Sequence, residues 1–256
     1  MTTANPPSVT ALGSNCAFFL DVDGTLLELA SQPDEVVLKP GLCETLQMLR
    51  AAAGEALALI SGRAIADLDR LFNPLIFPAA GQHGLERRDY SGVIHRHAPA
   101  DGAFDHLRAT LSNIAAAHPG ILLEDKGFSL AVHYRQDPQQ EKPLESVLTE
   151  FIKTRINEYR LQRGKLVYEV IPGGRNKGTA IEEFMSESPF TGKVPVFIGD
   201  DVTDEDGFAC VNELGGYSIK VGAGKSRAHW RLAGSEAVLV WLQSYVRAIH
   251  ARAKAP

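Results

Sequence analysis

The stretch Phe18-Phe19-Leu20-Asp21-Val22-Asp23-Gly24-Thr25-Leu26 opens apolar and closes on two carboxylates, a glycine and a hydroxyl. Cys16 to Leu20 is a continuous apolar run, which suits a strand buried on both faces of a parallel sheet. Such a strand can end in charge only where it meets solvent or a ligand. In open α/β sheets that place is the crevice outside the carboxyl ends of the strands. Gly24 permits a sharp turn and close approach to the backbone. Asp-Gly is also ordinary turn chemistry, so the stretch takes its meaning from segments further along the chain.

Working outward, residues 1 to 15 are rich in Pro, Thr, Ser, Ala and Asn and read as a loose leader with no signal-peptide pattern. Residues 28 to 39 read as a loop. Pro40 opens a helix that runs to about Ala53 and stops at Gly54. Ala56 to Ile60 reads as a second buried strand ending at Ser61-Gly62-Arg63. Ile65, Leu68 and Leu71 mark a helix broken by Asn73-Pro74, and Leu75-Ile76-Phe77 reads as a third strand. This β-α-β-α-β rhythm predicts an α/β fold with a doubly wound parallel sheet.

At Gly81-Gln82-His83-Gly84-Leu85-Glu86 the rhythm changes. Arg87 to His95 reads as a hairpin with Ser-Gly at its tip. Residues 102 to 172 then read as α-β-β-α-β: a helix through Phe104 and Leu111, strands at Ile121 to Glu124 and Ser129 to Tyr134, a helix from Pro143 to Tyr159, and a strand at Leu166 to Val170. This predicts a small inserted α+β domain at 102–172, with the core at 1–101 and 173–256. The core rhythm resumes with a helix at Thr179 to Met185 and a strand at Val194 to Ile198, which ends in Gly199-Asp200-Asp201-Val202-Thr203-Asp204-Glu205-Asp206. A short helix at Phe208 to Val211, a strand at Tyr217 to Val221 and a helix at Ala237 to Arg247 follow. Arg252 and Lys254 read as a frayed end.

The 256 residues carry a formal net charge of -5, with 45% hydrophobic and 22% charged residues, the balance of an ordinary globular chain. The negative balance argues against nucleic-acid and anionic-membrane partners. Cys16, Cys43 and Cys210 are odd in number and widely spaced, which indicates neither a zinc site nor a disulfide framework. A reducing cytoplasm and a monomer are expected. No apolar run approaches membrane-spanning length.

The ends of the strands would gather Asp21, Asp23, Thr25, Ser61, Arg63, Asp200, Asp201 and Asp204 on one edge of the sheet, and Lys177 follows a glycine-rich turn. Two like charges about 4 Å apart repel by roughly 4 kcal/mol at an effective dielectric of ~20. A hard divalent cation removes that penalty, and oxygen ligands without clustered His or Cys point to Mg2+. A solvated acidic loop is the alternative for the second cluster taken alone. Carboxylates, hydroxyls and a lysine around a cation suit a phosphoryl group. With no Ser-His-Asp arrangement visible, a carboxylate is the available nucleophile. Gly173 to Thr179 is not a Walker A loop, because Gly178 separates Lys177 from Thr179.

Asp21-x-Asp23-Gly-Thr25, Ser61-Gly-Arg, Lys177 and Gly199-Asp200-Asp201-x-x-Asp204, in this order, resemble the haloacid dehalogenase (HAD) superfamily. The resemblance implies that Asp21 forms an aspartyl phosphate and that Asp23 protonates the leaving oxygen and then activates water. It implies that Ser61 and Lys177 hold phosphoryl oxygens. It also implies that Asp21, the Asp23 carbonyl and Asp200 hold Mg2+, with Asp201 and Asp204 in support, directly or through water.

Gly81-x-His83-Gly84-x-Glu86, Glu124-x-Lys126, His133-Tyr134-Arg135, Glu169-x-x-Pro172, Asn176-Lys177-Gly178 and Gly199-Asp-Asp-x-Thr203-Asp204-Glu205 are similar to the trehalose-6-phosphate phosphatases. The implied cap places Glu124, Lys126 and Glu169 on glucose hydroxyls. Thr25, Gly62, Arg63, His83, Arg175 and Asn176 join the implied substrate site. A small-molecule sugar phosphate is the implied partner. Another sugar phosphate, such as sucrose phosphate or a mannosyl phosphoglycerate, stays open, as does a phospho-receiver or sugar-binding regulator without turnover.

Overall fold

The computed structural model describes residues 5–28, 38–97, 102–156, 158–164 and 166–253. In chain order these form α1 (Val9–Leu12), β1 (Cys16–Leu20), α2 (Leu42–Ala52), β2 (Leu57–Ile60), α3 (Ile65–Phe72), β3 (Ala79–Gly81), β4 (Glu86–Arg88) and β5 (Ile94–Arg96). There follow α4 (Gly102–Ala117), β6 (Leu122–Asp125), β7 (Leu130–His133), α5 (Glu141–Lys153), β8 (Tyr159–Gly164) and β9 (Val167–Pro172). The last are α6 (Lys177–Met185), β10 (Val194–Gly199), α7 (Glu205–Glu213), β11 (Tyr217–Val221), β12 (Trp230–Leu232) and α8 (Ser235–Ala253). The chain divides into two compact units, residues 1–96 with 176–256, and residues 97–175. The expected limits of the insert, 102 and 172, lie inside those of the second unit.

The first unit holds one eight-stranded sheet in the order β12-β11-β10-β1-β2-β3-β4-β5. Its strands are parallel from β12 to β3, and the β4–β5 hairpin is added antiparallel at one edge. β1 lies between β10 and β2, and all five of its residues are fully buried. Alternation explains the unbroken apolar run, because successive side chains point to opposite faces. Cys16, Phe18 and Leu20 enter one hydrophobic layer with α2, α3 and α8 residues such as Leu46, Leu68 and Leu242. Ala17 and Phe19 enter the other, with α6 and α7 residues such as Phe184 and Phe208. No helix among the described residues is long and apolar enough to cross a membrane.

The second unit is a four-stranded antiparallel sheet, β6-β7-β9-β8, with a separate core. Leu107 and Leu111 of α4, Leu144 and Leu148 of α5, and Leu130, Val132, Val170 and Tyr159 of the strands make up that core. The opposite face carries a cross-strand row, Glu124, Ala131, Glu169 and Gln162.

Several expectations are corrected. The leader is ordered in part: Leu12 is buried, the Trp241 indole donates to the Pro7 carbonyl, and Tyr245 donates to that of Gly13. Arg252 lies on α8 and donates to the Thr10 carbonyl; Lys254 lies outside the described residues, as does most of the expected loop at 28 to 39. Leu75-Ile76-Phe77 is not a strand, and Ile76 is exposed. The third strand is the small-residue run Ala79-Ala80-Gly81, where close neighbours leave no room for bulk, so packing overrides β-propensity. The second helix of the insert ends at Lys153, and Tyr159 begins β8, an edge strand too polar to announce itself. The short strand β12 gives no strong signal either. The helix expected at Phe208 to Val211 extends over Glu205–Glu213.

Candidate active site

Asp21 follows β1 directly, and its backbone N–H donates to the Ile198 carbonyl of β10 at 3.0 Å. The chain then turns tightly: the N–H groups of Leu26 and Leu27 both donate to the Val22 carbonyl. Gly24 has a φ of 81°, and a Cβ there would stand 2.1 Å from Asp200 Oδ2. Glycine is required at this position for its conformation and for the space it leaves. Thr25 is buried, and its hydroxyl lies 3.5 Å from Asp200 Oδ1.

Lys177 is the first residue of α6. The turn that delivers it is fixed by a reciprocal cap, in which Asn176 Oδ1 accepts from the Thr179 N–H and the Asn176 N–H donates to Thr179 Oγ1. The Asn176 side chain expected at substrate is therefore engaged as a helix cap. The Lys177 ammonium is buried and donates to Asp21 Oδ1 at 2.7 Å and Asp204 Oδ1 at 2.5 Å. Burial alone would push its pKa down; the charges and hydrogen bonds of Asp21 and Asp204 outweigh that and raise it.

Asp204 is fully buried, and its Oδ2 accepts the backbone N–H groups of Asp200 and Asp201 at 2.8 Å. It braces the turn that presents Asp200. The Asp201 carboxylate accepts from the Val202 N–H and is exposed. Asp21, Asp200 and Asp204 offer carboxylate oxygens that all lie within 4.8 Å of one another. Burial raises the Asp21 carboxyl well above its usual range; Lys177 opposes this while Asp204 and Asp200 add to it. Asp200 is raised by burial and by Asp204.

This cluster fits a hard cation. Asp21 Oδ2 is buried with no hydrogen-bond partner, Asp200 stands beside it, and every candidate side-chain donor is an oxygen. The Asp23 and Asp201 carboxylates lie outside the cluster. Asp23 instead receives a two-pronged bond from Arg63, with Nε on Oδ2 and Nη2 on Oδ1, each at 2.7 Å.

Ser61 follows β2 directly, and its buried hydroxyl accepts from the Arg63 N–H at 3.1 Å. The His83 ring lies against Gly62, where a Cβ would meet it at 2.7 Å. Lys220 belongs to the same neighbourhood: its ammonium is buried and donates to the Asp200 carbonyl. Its signal in the sequence is a lysine inside the apolar strand Tyr-Ser-Ile-Lys-Val, at the carboxyl end of β11.

In the second unit, Glu169 Oε1 accepts from Ser129 at 2.7 Å and from Lys126 at 3.2 Å. Glu124 and His133 are paired at 3.0 Å. Ser129 and Gln162 belong to this face although the motifs did not single them out. Arg175, half-buried, falls at the last position of the unit.

Residues 19–236 match the family model described as Trehalose-phosphatase. The trehalose-6-phosphate phosphatase of Escherichia coli K12 is 46% identical over 238 residues, covering 93% of this chain and 89% of that protein. A probable trehalose-phosphate phosphatase of Sinorhizobium fredii is 44% identical over 81% of this chain and 78% of its own length. The C-terminal domain of the Candida albicans trehalose-6-phosphate phosphatase superposes with a TM-score of 0.77 over 96% of this chain and 99% of that one, and at 22% identity it speaks for the fold.

Proposed function

The chain belongs to the trehalose-phosphatase family of phosphoric monoester hydrolases, built on a HAD fold, and from that premise we propose that it hydrolyses trehalose 6-phosphate to trehalose and phosphate. The single observation that carries the mechanism is the buried Asp21 carboxylate, with one oxygen held by Lys177 and the other without a partner.

An Asp21 oxygen attacks phosphorus, the bond from phosphorus to the sugar oxygen breaks, and Asp23 gives that oxygen a proton. Asp23 then takes a proton from water, whose oxygen attacks phosphorus; the acyl-phosphate bond breaks, freeing phosphate and Asp21. Lys177 keeps the nucleophile oriented, and with Ser61 it meets the charge of the phosphoryl oxygens. Asp23 must release at least one prong of Arg63 before it can donate. Asp21, Asp200 and the Asp23 carbonyl would hold Mg2+, with Asp204 and Asp201 behind them. The bound ion would offset both the repulsion among the carboxylates and the charge on the phosphoryl group.

Glu124, Lys126 and Glu169 bind sugar hydroxyls in this reading, because charge-assisted hydrogen bonds are the strong ones. His83, Arg175, Thr25 and Gly62 are assigned to substrate binding in the same reading. The enzyme works as a cytoplasmic monomer. Phosphate release from trehalose 6-phosphate, sucrose 6-phosphate and glucose 6-phosphate tests the substrate; turnover of another sugar phosphate with none of trehalose 6-phosphate would overturn it.

A further inference from the structure

Glu86 takes no part in the mechanism above. It is a buried carboxylate on β4, and its Oε1 accepts the backbone N–H of Ile65 at 2.6 Å. Ile65 is the first residue of α3, and the residue before it, Ala64, supplies no side-chain cap. Glu86 thus does from a neighbouring strand what an Asp or Ser N-cap does from within a helix, and its charge meets the helix dipole favourably.

The fit is close. A Cβ on Gly81 would stand 2.8 Å from Glu86 Oε1, 2.8 Å from the Arg63 carbonyl and 2.9 Å from the Ile65 nitrogen. Glycine at 81 is what lets strand, carboxylate and helix start come together.

The end of β3 and the turn after it grip the turn that precedes α3. Ser61 N–H donates to the Ala80 carbonyl at 2.8 Å, Gln82 N–H to the Arg63 carbonyl at 2.9 Å, and His83 N–H to the Ser61 carbonyl at 3.0 Å. Gln82 and His83 make these bonds at φ values of 47° and 58°, a left-handed conformation that side-chain-bearing residues rarely adopt. Strain of this kind persists where the surroundings over-determine it, and it clusters at functional sites. Ser61 and Arg63, the gripped positions, are the residues read as meeting phosphate and Asp23.

We propose that Glu86 is a positioning residue: by capping α3 from β4 it fixes the Ser61-Gly62-Arg63 turn in the geometry that receives a phosphoryl group and holds Asp23. The proposal rests on the phosphatase reading, and its test separates the two.

Wild type, Glu86→Ala, Glu86→Gln and Gly81→Ala are compared for kcat and KM on whichever phosphomonoester the wild type hydrolyses, for the affinity of inorganic phosphate by calorimetry, and for Tm. Leu242→Ala, which opens a cavity under α8, controls for lost stability. A misplaced binding group can cost on the order of 100-fold in rate. Glu86→Ala and Gly81→Ala are expected to weaken phosphate binding and raise KM by at least about tenfold (~1.4 kcal/mol). Glu86→Gln, which keeps an acceptor oxygen, is expected to stay within about threefold of wild type (~0.65 kcal/mol), and Leu242→Ala to change Tm alone.

Wild-type phosphate affinity and KM in Glu86→Ala would overturn the proposal. So would Glu86→Gln losses as large as those of Glu86→Ala, or equal kinetic losses in the Leu242→Ala control. Should Glu86→Ala fail to fold, Glu86→Met, which fills the same space without an acceptor for the Ile65 N–H, takes its place with the same expectations. A wild type that ignores trehalose 6-phosphate defeats the substrate reading and leaves the phosphate-binding comparison intact.

Discussion

Two charge clusters, one in each unit, are handled in opposite ways. In the core, Lys177 and Asp204 are essentially sealed from solvent, with side chains 3% and 0% exposed. In the inserted unit the Glu124 and His133 side chains are 49% and 39% exposed and partner each other at the surface. Buried charges are interdependent: removing one strands the others in a medium that cannot solvate them. Exposed charges interact weakly and can be exchanged at small cost. The contrast separates a buried centre whose charges depend on one another from a surface pair whose charges can be exchanged singly; in the proposed reading the first serves chemistry and the second recognition.

Four measurements would break or sharpen that contrast, taken from the largest expected effect down. Asp21→Asn keeps the shape and removes the nucleophile; turnover is expected to fall more than about 1,000-fold, and phosphate release near the wild-type rate would exclude Asp21. Chelation should abolish activity and Mg2+ restore it; undiminished turnover in excess chelator would remove the ion from the mechanism. Lys177→Met leaves Asp21 and Asp204 buried without their cation, so urea denaturation should show a loss of about 3–5 kcal/mol along with lost activity. Glu124→Gln in the second unit, at a side chain 49% exposed, should leave Tm nearly unchanged and raise KM for the disaccharide phosphate about tenfold, while p-nitrophenyl phosphate is turned over as before. A Glu124 variant as destabilised as Lys177→Met would erase the contrast.

Much of the core was legible because its signals are strong. A five-residue apolar run ending in Asp-x-Asp-Gly has few homes, and the ends of β1 and β10 necessarily bring Asp21 and Asp200 to one edge once the sheet is parallel. The side chains' partners were less accessible. Nothing in the spacing of Asp23 and Arg63 says that they pair, because the two lie on different strand ends and only the register of β1 against β2 brings them within reach. Asn176-x-x-Thr179 does carry a capping signature, a side-chain acceptor three residues before a hydroxyl. Arg160 to Gly164 reads as neither strand nor helix, since an edge strand carrying Arg160, Gln162 and Arg163 lacks the apolar density that marks interior strands. Glu86 was visible as a residue and opaque as a role, because a cap supplied from another strand leaves no local pattern.

The strand order also bears on how the chain is made. β1 finds one parallel neighbour, β2, within the first 60 residues, but the other, β10, begins only at Val194, beyond the whole inserted unit. During synthesis an apolar strand therefore waits with one edge open while the insert emerges, a condition that favours chaperone capture and aggregation. A circular permutant opening at Asn176 would deliver β10 before β1 and shorten that wait. Its refolding yield, set against that of the natural order, would measure what the interrupted topology demands of the cell.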